Sequence, residues 1–118
     1  MLSFIYIKVI FFIYKMAECV QKRLEMGRKK YGHGVRATDN PQTWGTQKNS
    51  WMEMAQEEFL DGIVYVITDF IREVGVSGAI GEDDNETIML YVRNPELIDS
   101  EKHRKMVTIL LEYCELCE

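Results

Sequence analysis

Proline and cysteine are scarce, with two and three residues among 118. Three cysteines cannot build a disulfide framework, and an odd count fits a reducing compartment. Cys114 and Cys117 form a lone CxxC. Zinc there would need two further ligands, and Cys19, His33 and His103 qualify only in principle, so packed helical cysteines are the simpler reading. Positive charge is lacking too. A net charge of -5 gives no field for nucleic-acid phosphates, and the basic residues form one short cluster without a matching stripe. A nucleotide site stays open, because a metal ion and a few local cations can neutralise a triphosphate. No repeat or low-complexity stretch occurs, and the turn signals are too few for a repetitive all-β fold. No apolar run reaches the roughly 20 residues of a transmembrane helix. The nearest, MLSFIYIKVIFFIY, carries Lys8 in its middle and lacks the basic start and small-residue cleavage site of a signal peptide.

What remains is the composition of one globular, mostly helical domain, 47% hydrophobic and 28% charged. Residues 1–15 read as an apolar extension and 16–118 as the domain. The extension's β-branched and aromatic residues permit a strand or an added helix, serving as a membrane-associating tail, an oligomerisation element or a dispensable piece. From Met16, Ala17, Val20, Leu24, Gly27 and Tyr31 form a 3.6-residue stripe, which predicts a helix with Tyr31 in the core. Gly32 and Gly34 end it, behind the basic run Arg28-Lys29-Lys30. Residues 35–50 read as loop, with a turn at Asp39-Asn40-Pro41.

Ser50 caps a second helix, with Glu53 in the capping-box position. Its apolar face, Trp51, Ala55, Phe59, Ile63, Val66 and Phe70, runs to about Arg72, so Trp51 is expected to pack in the core. SGAIGEDDNE reads as an exposed turn, and ETIMLYV as a short strand or helical turn. Ser100 caps a last helix whose face carries Met106, Ile109, Leu110, Tyr113 and Cys117. So few helices bury limited area, which points to a bundle completed by a second subunit.

The second helix also carries acids. Glu53, Glu57 and Asp61, four apart, fall within about a quarter-turn of one another, and Glu58 lies further round, near Tyr65. Like charges at this spacing repel. The same side continues into Leu60, Val64 and Ile71, so these acids are expected to face an interhelical cleft. Carboxylates gathered there call for a cation, and magnesium prefers oxygen ligands and bridges carboxylates to phosphates. Pairing with lysine or arginine, or simple solvation, is the bland alternative.

The segment EEFLDGIVY, with Glu57, Glu58 and Asp61, resembles the EExxE/D signature helix of the all-α, MazG-like nucleotide pyrophosphohydrolases. Residues 16–72 also resemble the phage and large-virus branch: a helix ending KKYG, a polar loop, then a tryptophan opening the acidic helix. The resemblance implies an all-α helical bundle, a homodimer or homotetramer, that hydrolyses nucleoside or deoxynucleoside triphosphates to monophosphate and pyrophosphate. It implies Mg2+ held by Glu57, Glu58 and Asp61, to which geometry adds Glu53, with Glu57 or Glu58 positioning or deprotonating the attacking water. Lys29, Lys30, Arg36 and Lys48 are the candidate phosphate contacts, and Trp44 the candidate base-stacking residue. The implied location is cytoplasmic, the host cytoplasm for a viral protein. The chain departs from the family at the second ExxD pair. Glu96 to Asp99, its literal match, sits beside Pro95 and before the last helix's cap, and Glu112 and Glu115 have no signature around them. Two other functions fit the composition: a helical interaction protein whose acids bind a basic partner, and a membrane-associated adaptor using residues 2–14.

Overall fold

The computed structural model describes residues 3–75 and 83–118. The fold is all-α. Among the described residues there are four α-helices, α1 (Phe4–Tyr31), α2 (Trp51–Val74), α3 (Asn85–Arg93) and α4 (Glu101–Leu116). Two 3-10 turns, Pro41–Trp44 between α1 and α2 and Pro95–Leu97 between α3 and α4, accompany them, and none of the described residues forms a strand. Of the turn expected over SGAIGEDDNE, residues 77–82 lie outside the described residues, Asp83 and Asp84 form an exposed to half-buried bend, and Asn85 and Glu86 already belong to α3. The chain divides into two units, residues 1–39 and 40–118.

In the first unit, α1 runs without interruption across the expected boundary at residue 15. Nothing in Phe4–Met26 breaks a helix, so the turns that begin at Met16 continue backwards to Ser3. The Ser3 hydroxyl there accepts the Tyr6 amide. At the other end Gly32, at φ 83°, donates its amide to the Arg28 carbonyl, and Arg28, Lys29 and Lys30 occupy the last turn. No residue of α1 is buried. Tyr31, expected in the core, is instead half exposed, with the Lys30 ammonium over its ring.

The second unit holds the core. Ser50 caps α2 through the Glu53 amide, and Gly75 closes it at φ 74°. Ile63, Ile67, Phe70 and Ile71 of α2 are buried with Ile88 of α3, Ile98, and Val107 of α4. The i, i+4, i+7, i+8 spacing of the α2 residues puts them on one side of that helix. Helix α4 runs back along α2: Gln56 bonds the Cys114 carbonyl, Gly62 meets Leu110, and Asp69 meets His103. ETIMLYV belongs to helix α3, where Ile88, Tyr91 and Val92 face the core and Tyr91 stands edge-on to Phe70 at 5.3 Å.

Trp51 does not extend this core. It is 37% exposed and lies against Trp44, with ring centroids 5.5 Å apart. Gln56, a turn further along α2, is the residue that meets α4, through Cys114 and Glu118, while Trp51 packs on the 3-10 turn that precedes its own helix.

A Cβ added at Gly62 would sit 3.4 Å from Leu110 Cδ1, in ordinary contact. Glycine inside a helix costs about 0.5–1 kcal/mol relative to alanine. Gly62→Ala is therefore expected to stabilise the protein by about that amount, read as a higher urea midpoint at unchanged slope. A lower midpoint would mean that α2 and α4 approach more closely than this contact allows.

Candidate metal-binding sites on the second helix

The acids expected from the sequence fall into two groups. Glu57, Glu58 and Asp61 are all exposed on α2, so residues 40–118 do not by themselves enclose them. No cation among the described residues pairs with any of the three. Leu60 and Val64 beside them are also exposed, at 50% and 42%. Glu53 has a different set of contacts. Its two carboxylate oxygens accept the Gln47 and Lys48 amides at 3.0 and 2.9 Å. It thereby ties the preceding loop to the first turn of α2, where a capping box would have turned it back to Ser50.

That loop has an ordered frame of its own. Asn40 caps the 3-10 turn through the Gln42 amide, Gln42 reaches the Gln47 carbonyl, and the buried Thr46 donates to the Lys48 carbonyl at 2.7 Å. Trp44 is thereby held against Trp51 with 38% of its surface exposed. Lys48 enters this frame through its backbone amide and carbonyl.

The other candidate cations belong to residues 1–39. Lys29 is exposed, and the Lys30 ammonium lies over the Tyr31 ring, 5.3 Å from its centroid. Arg36 bonds the Asp39 carboxylate at 3.0 Å and donates to His33 Nε2 at 3.0 Å. His33 Nδ1–H donates to the Gly34 carbonyl at 2.7 Å, which fixes the tautomer that leaves Nε2 as acceptor. Arg36 is thus already engaged on both sides of its guanidinium.

Near the other end of α2 lies a group that the motif did not mark. Asp69 and Glu73, four apart, meet His103 in the first turn of α4, and their candidate ligand atoms lie within 4.8 Å of one another. His103 is 5% exposed, packed against Phe70, while the two carboxylates are open to solvent. Its Nε2 stands 2.7 Å from Asp69 Oδ2 and 3.6 Å from Glu73 Oε2. Its Nδ1 is 2.5 Å from the Ser100 hydroxyl, which also caps α4 by accepting the His103 amide. The ring is therefore held on one edge and presents the other to two carboxylates. The hydrogen bond from His103, helped by the charges of His103, Lys102 and Arg72, holds the Asp69 carboxyl below its ordinary range.

Whatever lies between Nε2 and two carboxylate oxygens must be positive, either a proton or a metal ion. Asp69, Glu73 and His103 could hold a metal ion, and a mixed imidazole and carboxylate set suits a divalent transition ion such as zinc. Glu57, Glu58 and Asp61 offer oxygen alone, the donor set of Mg2+. Eight residues separate Asp61 from Asp69, roughly 12 Å along the helix, so the two groups are distinct.

Among the described residues no group of three candidate metal ligands includes a thiol. Cys114 and Cys117 are free, as is the exposed Cys19, and burial pushes the Cys114 thiol up, with smaller contributions from Cys117 and Glu118. The chain matches no protein-family model, no curated protein and no solved structure.

Proposed function

We propose that this chain is a Mg2+-dependent hydrolase that converts nucleoside or deoxynucleoside triphosphates to the monophosphate and pyrophosphate. One observation carries the reading. Glu57, Glu58 and Asp61 stand at i, i+1 and i+4 on one helix, exposed and unpaired with any cation of the described chain. A hard divalent ion is the partner that oxygen donors gathered in this way select.

Bound Mg2+ would supply charge to the phosphate oxygens and acidify a water. The chain's own residues do the rest. Glu57 or Glu58 orients the attacking water and takes its proton. Lys29, Lys30, Arg36 and Lys48 are the groups of this sequence that would meet the phosphates, and Trp44 offers a partly open ring to the base. Arg36 would have to leave Asp39 or His33 to do so, which makes it the weakest of the four. Leu60 and Val64 flank the acids uncovered. A second copy packed over them would remove that apolar surface from water and enclose the carboxylates, in keeping with a homodimer or homotetramer.

The test is product analysis of the purified protein with each common NTP and dNTP, with and without Mg2+. Monophosphate and pyrophosphate in equal amounts, dependent on the metal, are the expected products. A folded protein that turns over none of them would overturn the reading. The acidic face of α2 would then be a docking surface for a basic partner, the role expected of a helical interaction protein.

A further inference from the structure

Helix α1 carries two surface features, of which the proposed hydrolase uses only Lys29 and Lys30. The first is apolar. Phe4–Tyr14 contains ten apolar or aromatic residues and one charge, Lys8, and all but the half-buried Ile10 are exposed. Residues seven apart share a side of a helix. The pairs Phe4/Phe11, Ile5/Phe12, Tyr6/Ile13 and Ile7/Tyr14 accordingly mark four different sides. A partner helix covers one stripe of about 100° and would leave the other sides wet. Acyl chains surround a helix on every side they reach. From Tyr6 onward the backbone amides of this segment are bonded, Tyr6 to the Ser3 hydroxyl and Ile7 to the Ser3 carbonyl, as entry into hydrocarbon requires.

The second feature is charge. The single short basic cluster expected from the sequence is incomplete: Lys8, Lys15, Lys22 and Lys29 recur every seven residues of α1 and all are exposed, so one side of the helix carries a line of ammonium groups. Arg23, Arg28 and Lys30 add to it. Residues 1–39 hold eight Lys and Arg against three Asp and Glu, whereas residues 40–118 hold six against sixteen. The basic excess is confined to the unit that carries the apolar segment. No described helix is long and apolar enough to cross a membrane, and Phe4–Tyr14 spans roughly 16 Å, about one leaflet's depth.

We propose that α1 is a membrane-surface anchor: Phe4–Tyr14 enters one leaflet of an anionic phospholipid bilayer, Lys15 meets its headgroups, and Lys22, roughly 10 Å further along the helix, adds attraction within reach of the surface charge. The Lys8 ammonium rests over the Phe4 ring at 4.7 Å and would leave it on insertion, turning its stem toward the headgroups. Two signals act together here, an apolar insertion and a basic stripe, the combination that stable peripheral binding needs. The acidic second unit is repelled by the same surface and stays in the aqueous phase.

The full chain is to be sedimented with phosphatidylcholine vesicles that contain either no phosphatidylserine or roughly 30% of it. The partition coefficient is expected to be on the order of 10-fold higher on the anionic vesicles and to fall with added salt. Phe11→Glu/Phe12→Glu is expected to abolish binding to both, with helicity by circular dichroism unchanged. Lys15→Glu/Lys22→Glu is expected to remove the anionic preference and leave the weaker binding to neutral vesicles. Wild-type protein that stays in the supernatant with both vesicles overturns the proposal. So does an oligomer that Phe11→Glu/Phe12→Glu dissolves while vesicle binding is absent, since the apolar segment would then be covered by copies of itself.

Discussion

Replacing Glu57 and Glu58 together by alanine is expected to reduce pyrophosphate release by on the order of 10^3-fold or more, while the fold is kept. The size of the loss follows from charge. A triphosphate at neutral pH carries three to four negative charges, and the transition state gathers more on the oxygens of the scissile bond. With only Asp61 left, the ion that compensates this charge loses most of its anchoring, and the water loses the group that takes its proton. The fold should be indifferent, because both side chains are exposed on the helix and make no bond that the truncation would break. The melting temperature should hold or rise slightly, as removing Glu57 lifts the like-charge spacing to Asp61 and to Glu53. Glu53→Gln is the informative companion. Its carboxylate holds the Gln47 and Lys48 amides, so its expected effect is a looser loop and a raised KM, with kcat largely kept. Equal loss of kcat in Glu53→Gln and in the double variant would place Glu53 among the metal ligands. Undiminished turnover in the double variant would remove α2's acids from the chemistry.

The fold was legible where the chain carries its own punctuation. Ser50 and Ser100 each accept the amide three residues on, as read from the sequence, and Gly32 and Gly75 end their helices in the left-handed conformation that glycine adopts freely. Legibility failed where pattern alone had to decide. The apolar stretch before Met16 has no period, because it is apolar on all sides, so strand and helix looked alike until the uninterrupted α1 settled it. ETIMLYV was ambiguous for its shortness; its packing on Phe70 selects the helix. Trp51 and Tyr31 kept the right spacing but are 37% and 50% exposed, and helical phase cannot report how far a residue is covered.

The site divides in the same way. Glu57, Glu58 and Asp61 form a local motif, visible because the helix itself sets their spacing. The Asp69–His103 bond joins residues 34 apart in sequence and exists only because α4 runs back along α2. Two local signs do point toward it. Asp69 and Glu73 share a face at i, i+4, and His103 sits three residues after the cap Ser100, where its ring can turn back to the cap's hydroxyl. Neither sign identifies the other's helix.

His103→Ala is expected to lower stability by about 2–3 kcal/mol, which for a unit of this size moves the melting temperature by roughly 10–20 °C. The ring is buried against Phe70 and bonded at both nitrogens, so truncation opens a cavity and breaks the tie between α2 and α4. The cap survives, since Ser100 still accepts the backbone amide of residue 103. Stability alone does not separate a structural tie from a metal site, because both predict this loss. Zn2+ does separate them. An ion that binds only the folded protein raises its stability by RT ln(1 + [L]/Kd), about 2.7 kcal/mol at a hundredfold excess over Kd. Wild-type protein is expected to melt at a higher temperature as Zn2+ is added, and His103→Ala is not. Asp69→Asn/Glu73→Gln decides the matter without unfolding anything, since both side chains are exposed and the replacements keep their shape. That variant should fold with His103 still in place and show no response to the ion. A wild-type protein that does not respond to Zn2+, Mn2+ or Co2+ would leave a proton between His103 and Asp69, and the group would be a buried histidine joining two helices.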